Sequence, residues 1–294
     1  MVSALREARG FQGRPGGTTL TRALVLEGGS MRAAYAAGVL AAFEESGVRP
    51  FDAVYGTSAG GALVAWWSAR QAVYALGTWK YAQDRRILSW RRFLTRRGPF
   101  LDHDTLFRVV YEQEHPLDIA AVERAPHPII VNAVDVDRGE VVYADVRRGP
   151  VLAWLRATGR LPLGTGPAVE IDGRRFVDGG VAEPVMLQKA IDDGARDVTV
   201  VFNRPRAMRE PESRLATRLT ARYYPHIEAA VRHRHEVYNA AVALAEAPPA
   251  GVRVRVVRPA TDTGVRRFTR DLELIDRCIA RGRADGRAVA PGLP

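Results

Sequence analysis

The 294-residue sequence has one cysteine, Cys278, and two lysines, Lys80 and Lys189. A lone thiol excludes an internal disulfide and points to a reducing compartment, with Cys278 read as a thiol on a C-terminal helix. Long apolar runs are missing too: none approaches the ~18 residues that a membrane span requires. Residues 1–20, rich in Gly and Arg, hold no apolar segment of the secretory kind. The expectation is a mobile tail over 1–20 on a cytoplasmic protein. Zinc-finger spacing, a homeodomain pattern and RNP-like aromatic strands are also absent, so no nucleic-acid partner is expected. No metal or cofactor is expected either.

What is present is globular. Apolar residues make up 47% and charged residues 26% of the chain. The length suits one large α/β domain or two small ones, and one is favoured, over 21–294. The net charge of +10 comes from 43 Lys+Arg against 33 Asp+Glu, and is carried almost wholly by arginine. That bias reads as a GC-rich coding sequence before it reads as selection for an anionic partner, yet it permits peripheral contact with an anionic membrane.

"ALVLEGG" (23–29) reads as a buried strand running into a glycine loop, followed by a helix with Tyr35, Val39, Leu40 and Phe43 on one face and an ending at Ser46-Gly47. "FDAVYG" is a second buried strand, and "AGGALVAWWSARQAVYAL" a second helix. Residues 81–125 look helical with breaks, Asp102 or Asp104 capping "TLFRVVYEQ". Two hairpins follow, turning at Asp137-Arg138-Gly139 and at Asp172-Gly173. A helix is expected over 185–193, a strand over 198–202, helices within 213–246, a strand over 251–257 and a closing helix after it. Apolar strands alternating with helices indicate an α/β fold with a mainly parallel sheet covered on both faces. Chemistry in such sheets gathers beyond the carboxyl ends of the strands, where both glycine turns sit.

Gly56-Thr57-Ser58-Ala59-Gly60 fits the G-x-S-x-G nucleophile elbow, in the strand-to-helix context that the motif requires. A strained Ser58 lifts its hydroxyl clear of the sheet, and strand and helix pack closely only if Gly56 and Gly60 lack side chains. The other loop, Gly28-Gly29-Ser30-Met31-Arg32-Ala33, lacks G-x-G-x-x-G spacing, so a nucleotide is a weak reading. Successive N–H groups at a helix start can instead hold an oxyanion. Arg32 opposes the helix dipole there, and pairing with a carboxylate or binding a substrate anion would equally offset that cost.

A serine nucleophile needs a base. His226, His233 and His235 follow Asp178 in the chain but sit among arginines on an expected helix. Asp178, closing a strand ahead of Gly179-Gly180, would by itself pass for a turn residue. Taken together, the Gly28-Gly29 loop with Arg32, the elbow from Gly56 to Gly60 and the D-G-G from Asp178 to Gly180 resemble the patatin-like phospholipases, most of all the compact bacterial branch. The resemblance covers about 24–205 and leaves a helical C-terminal extension over 206–294.

It implies a three-layer α/β/α fold and a serine acyl hydrolase of lipids or small esters that uses a Ser-Asp dyad without histidine. Ser58 would be the nucleophile and Asp178 the direct base. Amides of Gly28, Gly29 and the residues after them (Ser30, Met31, Arg32) would form the oxyanion hole, with Arg32 near the bound anion. The sequence departs from the family pattern at Ser30 and Ala33, where glycines are usual; if position 30 needs φ > 0, Ser costs on the order of 1 kcal/mol. Two rival readings stand beside the hydrolase: a catalytically silent binding or regulatory protein, and a histidine-dependent esterase.

"RRILSWRRFLTRRGPF" (85–100) sets Trp90, Phe93 and Leu94 among six arginines. An interfacial helix on anionic lipid is one reading; a helix packing its apolar face on the core is the preferred one.

Overall fold

The computed structural model describes residues 21–48 and 51–293, so the tail expected over 1–20 lies outside the described residues. In chain order the elements are β1 (Arg22–Leu26), α1 (Ala34–Glu45), β2 (Ala53–Gly56), α2 (Ala59–Ser68), α3 (Ala72–Ala75), α4 (Trp90–Leu94), α5 (His103–Leu106), α6 (Ile119–Glu123), β3 (Ile129–Asp135) and β4 (Val141–Asp145). They continue with α7 (Val151–Gly159), β5 (Val169–Ile171), β6 (Arg174–Asp178), α8 (Leu187–Asp192), β7 (Asp197–Val201), α9 (Arg214–Tyr223), α10 (Glu228–Glu246), β8 (Arg253–Val257) and α11 (Leu272–Val289).

Successive strand residues point to opposite faces, and an all-apolar strand therefore needs cover on both. In β1, Leu24 and Leu26 enter one core with Tyr35 and Phe43 of α1, Trp66 and Trp67 of α2, Leu155 of α7 and Ile275 of α11. Ala23 and Val25 enter another, with Leu187 of α8 and Tyr238 and Val242 of α10. The result is a three-layer α/β/α sandwich. β3, β2, β1, β7 and β8 pair in parallel in that order, whereas β4, β5 and β6 join by antiparallel pairing.

The register on β3 positions the site. Ile130 and Val131 pair with both β2 and β4, while Ala133 and Val134 pair with both β6 and β4. A strand has only two edges, so β2 and β6 share the edge opposite β4. Gly56, ending β2, pairs with Val131, and Asp178, ending β6, pairs with Ala133. The carboxyl ends of these strands thus meet head to head.

Both hairpin turns form as read, with Gly139 at φ 71°, Asp172 at 50° and Gly173 at 71°. Helix α1 ends in a Schellman motif on Gly47 (φ 70°): Val48 N donates to Phe43 O and Gly47 N to Glu44 O. The helix expected from Ala59 onward breaks after Ser68, where the same motif forms on an arginine. Arg70 takes φ 59°, Gln71 N donates to Trp66 O and Arg70 N to Trp67 O. Asp102, not Asp104, caps α5 by accepting from Thr105 N at 2.9 Å, because the Asp104 carboxylate is held by Arg160 at 2.5 Å.

The core-packed helix preferred for 85–100 does not form. Only Trp90–Leu94 is helical, with Trp90 49% and Leu94 76% exposed. Ile87, Leu88 and Phe100 on either side fill the local core instead. Cys278 lies on α11, the expected C-terminal helix, and is buried there.

Candidate active site

Between β2 and α2 the chain turns at Ser58, whose φ of 55° and ψ of −126° lie outside the regions that L-residues ordinarily adopt. Flanking glycines make the turn sterically feasible. A Cβ on Gly56 would lie 2.4 Å from Gly60 O, and one on Gly60 would lie 2.9 Å from Glu27 O. The strained backbone leaves Ser58 Oγ facing the end of β6, where it donates to Asp178 Oδ2 at 2.7 Å. The Ser58 amide donates to Thr158 Oγ1 at 2.9 Å, tying the elbow to α7.

Asp178 is 1% exposed and held at three points. Its amide donates to Arg160 O at 2.9 Å, its Oδ1 accepts from Gly180 N at 2.7 Å, and its Oδ2 accepts from Ser58. Burial raises its pKa to about 6, against the opposing pull of the Ser58 and Gly180 hydrogen bonds. At neutral pH the group is ionised yet more basic than a solvated aspartate. Gly179 is required by close approach, since a Cβ there would lie 2.1 Å from Asn132 Oδ1.

The Gly28–Arg32 loop borders the same cleft, with Glu27 anchoring it from below. Glu27 is fully buried; it accepts from Asn203 N at 2.6 Å and pairs with Arg204 at 3.2 Å. The expected oxyanion donors need correction. Gly28 N donates to Pro184 O, Met31 N to Arg267 O and Arg32 N to Gly29 O, so those three amides are engaged. Among the described residues no acceptor engages the amides of Gly29 and Ser30, nor that of Ala59 at the start of α2. Of the loop amides expected to face an oxyanion, those of Gly29 and Ser30 are left unengaged, and the Ala59 amide, which was not among them, is unengaged as well.

Position 30 does need positive φ: Ser30 sits at 49°. A side chain there costs on the order of 1 kcal/mol relative to glycine. Ala33, at φ −66°, is ordinary helical backbone, so the departure from glycine carries no strain.

Ser58 lies where two cavities meet. One, of about 160 Å³, is apolar and reaches past Met31, Leu63, Trp66, Phe107 and Leu155. The other, of about 140 Å³, is bordered by Gly28, Gly29, Arg32, Asp178, Arg234 and Arg267. The Arg234 guanidinium donates to Gly180 O and to Glu210. Sequence reasoning missed Thr158, Arg160, Arg234 and Arg267. Each arrives from a distant part of the chain, and no local motif marks it.

None of the three downstream histidines hydrogen-bonds to Ser58 or Asp178. His233 Nδ1 pairs with Glu236 at 3.2 Å and His235 Nδ1 lies 2.9 Å from Arg232 O. His226 lies on the turn at Gly139, where its carbonyl would meet an added Cβ. His103 does border the apolar cavity, edge-on to Phe107, and burial lowers its pKa to about 3.

Three comparisons bear on this arrangement. A family model described as patatin-like phospholipase matches residues 24–191, and a domain of unknown function (DUF6363) matches 224–292. The chain is 28% identical over 200 residues to the uncharacterized protein YjjU of Escherichia coli K12, covering 63% of this chain and 53% of YjjU. It therefore spans about half the length of that relative. VipD from Legionella pneumophila aligns in structure with a TM-score of 0.45 and 10% identity, over 94% of this chain and 68% of VipD. A family model that matches more than half of the sequence settles the family: the chain belongs to the patatin-like phospholipases.

Proposed function

We propose that the protein is a serine acyl hydrolase of lipid carboxylic esters that works through Ser58 and Asp178, with no imidazole between them. The observation that carries this reading is the 2.7 Å bond from Ser58 Oγ to a carboxylate that burial has made more basic. As Oγ attacks the ester carbonyl, its proton passes to Asp178 Oδ2. Charge developing on the carbonyl oxygen is met by the free amides of Gly29, Ser30 and Ala59. Collapse of the tetrahedral species breaks the ester C–O bond, and Asp178 returns the proton to the departing alcohol. Water then enters, gives a proton to Asp178 and cleaves the acyl-enzyme by the reverse sequence. The acyl chain lies in the apolar cavity.

Ser30 weighs less against turnover than its sequence suggests, because its backbone adopts φ 49° and its amide stays free. Ser58→Ala should lower hydrolysis of a short-chain ester by ~10⁴-fold or more while circular dichroism shows the protein still folded. Comparable turnover in that variant rules the mechanism out.

Among the described residues no helix is long and apolar enough to cross a membrane. Peripheral contact with anionic lipid is part of the proposal, through exposed Trp90, Phe93 and Leu94 beside Arg91, Arg96 and Arg97. Co-sedimentation with vesicles should rise with their anionic lipid content and fall with added salt. Binding indifferent to both would remove the contact.

A further inference from the structure

The apolar cavity beside Ser58 is bordered by one polar side chain that the mechanism does not use. His103 is 6% exposed, and its ring forms part of the cavity wall. Its Nδ1 is buried without a hydrogen-bond partner, and among the described residues nothing bonds to Nε2 either. Three hydroxyls on the same wall are engaged. Thr78 Oγ1 donates to Ala75 O at 2.7 Å, the Tyr81 hydroxyl donates to Glu114, and the Tyr111 hydroxyl bonds to the Trp66 side chain. Ser30, Ser58 and Arg267 belong to the mouth that the cavity shares with the polar cleft. His103 is left over. A buried polar group without a partner is costly unless a ligand supplies one.

Its place in the fold is near the reacting end. A Cβ on Gly159 would lie 3.0 Å from both Cε1 and Nε2 of His103, so the missing side chain makes room for the ring. Gly159 follows Thr158, whose hydroxyl accepts from the Ser58 amide. Burial first, then Arg160, lowers the pKa of His103 to about 3, and the ring is uncharged at neutral pH. The neighbouring guanidinium groups of Arg160 and Arg156 are paired with Asp104 and Glu112. This stretch of wall therefore suits a neutral polar group better than an anion.

We propose that His103 binds a hydroxyl group carried on the acyl chain, so that hydroxylated acyl esters are selected over plain ones. The inference rests on the hydrolase reading above. A neutral imidazole presents one N–H and one lone pair, and a hydroxyl can answer either of them in either tautomer. A plain methylene answers neither and leaves the ring unmet. A site built to bond a hydroxyl discriminates for that reason against the analogue that lacks it.

The test mixes methyl decanoate with its racemic monohydroxy derivatives, substituted singly at carbons 3 to 9, and counts the free acids released by mass spectrometry. Competition in one vessel reads the ratio of kcat/KM directly. Wild-type protein should favour one hydroxylated position, or two adjacent ones, over the plain ester by about tenfold. His103→Phe should shrink that preference on the order of ten- to a hundredfold, and His103→Gln, which keeps a donor and an acceptor, should retain part of it. Circular dichroism checks that the variants fold, and the wild-type preference needs no variant at all.

A wild type that cleaves no hydroxylated ester faster than methyl decanoate overturns the inference, and leaves His103 to water alone. An unchanged preference in folded His103→Phe protein overturns it too, because the hydroxyl is then recognised elsewhere. Failure of the hydrolase reading shows separately, as no Ser58-dependent release of any acid. Calorimetry of the same esters then decides the subsite, and equal binding of plain and hydroxylated chains overturns it.

Discussion

Asp178→Asn should lower ester turnover on the order of 10⁴-fold and, at neutral pH, make the protein more stable. The first effect follows from removing the base. The second follows from the direction in which burial moves the carboxyl. Its folded pKa is about 6 against an ordinary 3.8. As pH rises, the unfolded chain releases this proton first, so the native state binds more protons over roughly pH 4–6 and loses stability across that window. At pH 7 the wild type carries the full cost, on the order of 2–3 kcal/mol at 1.36 kcal/mol per pKa unit. Asparagine stays neutral, and its carbonyl oxygen can still accept from Ser58 or Gly180. Urea unfolding at pH 7 and pH 4 should therefore show a gain for the Asp178→Asn variant that disappears at the lower pH. A loss of stability at pH 7 would contradict the buried, ionised carboxylate.

Gly282→Ala should destabilise the protein by about 3 kcal/mol or more, a large effect for one methyl group. Helices α1 and α11 pack backbone to backbone. A Cβ at Gly282 would lie 2.0 Å from Tyr35 O, and one at Gly38 would lie 2.1 Å from Ile279 O. Backbone cannot yield as a flexible side chain can, so the helices must separate and the Tyr35 hydroxyl is drawn off Asp285, now 2.7 Å away. Arg267, which borders both cavities at Ser58, and Phe268, which borders the apolar one, lie just ahead of α11, so the displacement reaches the site. Urea midpoints measure the loss, and faster reaction of Cys278 with a thiol reagent reports the opening. A change within ~0.5 kcal/mol would show that the helices are not in this contact.

What the sequence made legible is what local chemistry encodes. The elbow could be read because glycines two residues on either side of Ser58 leave one way for a strand to become a helix. The hairpins could be read because Asp172-Gly173 and Gly139 favour left-handed backbone. Arg70 adopts the same backbone without any such preference, and so the break between α2 and α3 was not visible. Residues 85–100 misled for a related reason: composition does not tell which apolar side chains face inward, and Leu88 and Phe100 do so while Leu94 does not.

The site beyond the elbow depended on long-range geometry. Asp178 alone reads as an Asp-Gly turn, and resemblance to a family linked it to Ser58. The physical link is the shared edge of β3, which a linear sequence does not display. Engagement of the Gly28 and Met31 amides depends on Pro184 and Arg267, far along the chain. Arg234 and Arg267 were lost among the many other arginines. Gly282 and Gly286, four residues apart and so on one helical face, were a signal of close helix packing that went unread.

The most direct measurement is the rate at which a fluorophosphonate probe labels the protein across pH 4–9, with the modified residue located by mass spectrometry. An activated Ser58 should be the labelled residue, at a rate that rises through a midpoint near 6 as Asp178 ionises, and Asp178→Asn should all but abolish the reaction. Labelling at another residue, or labelling of Ser58 that is indifferent to the asparagine substitution, would contradict a serine driven directly by that carboxylate.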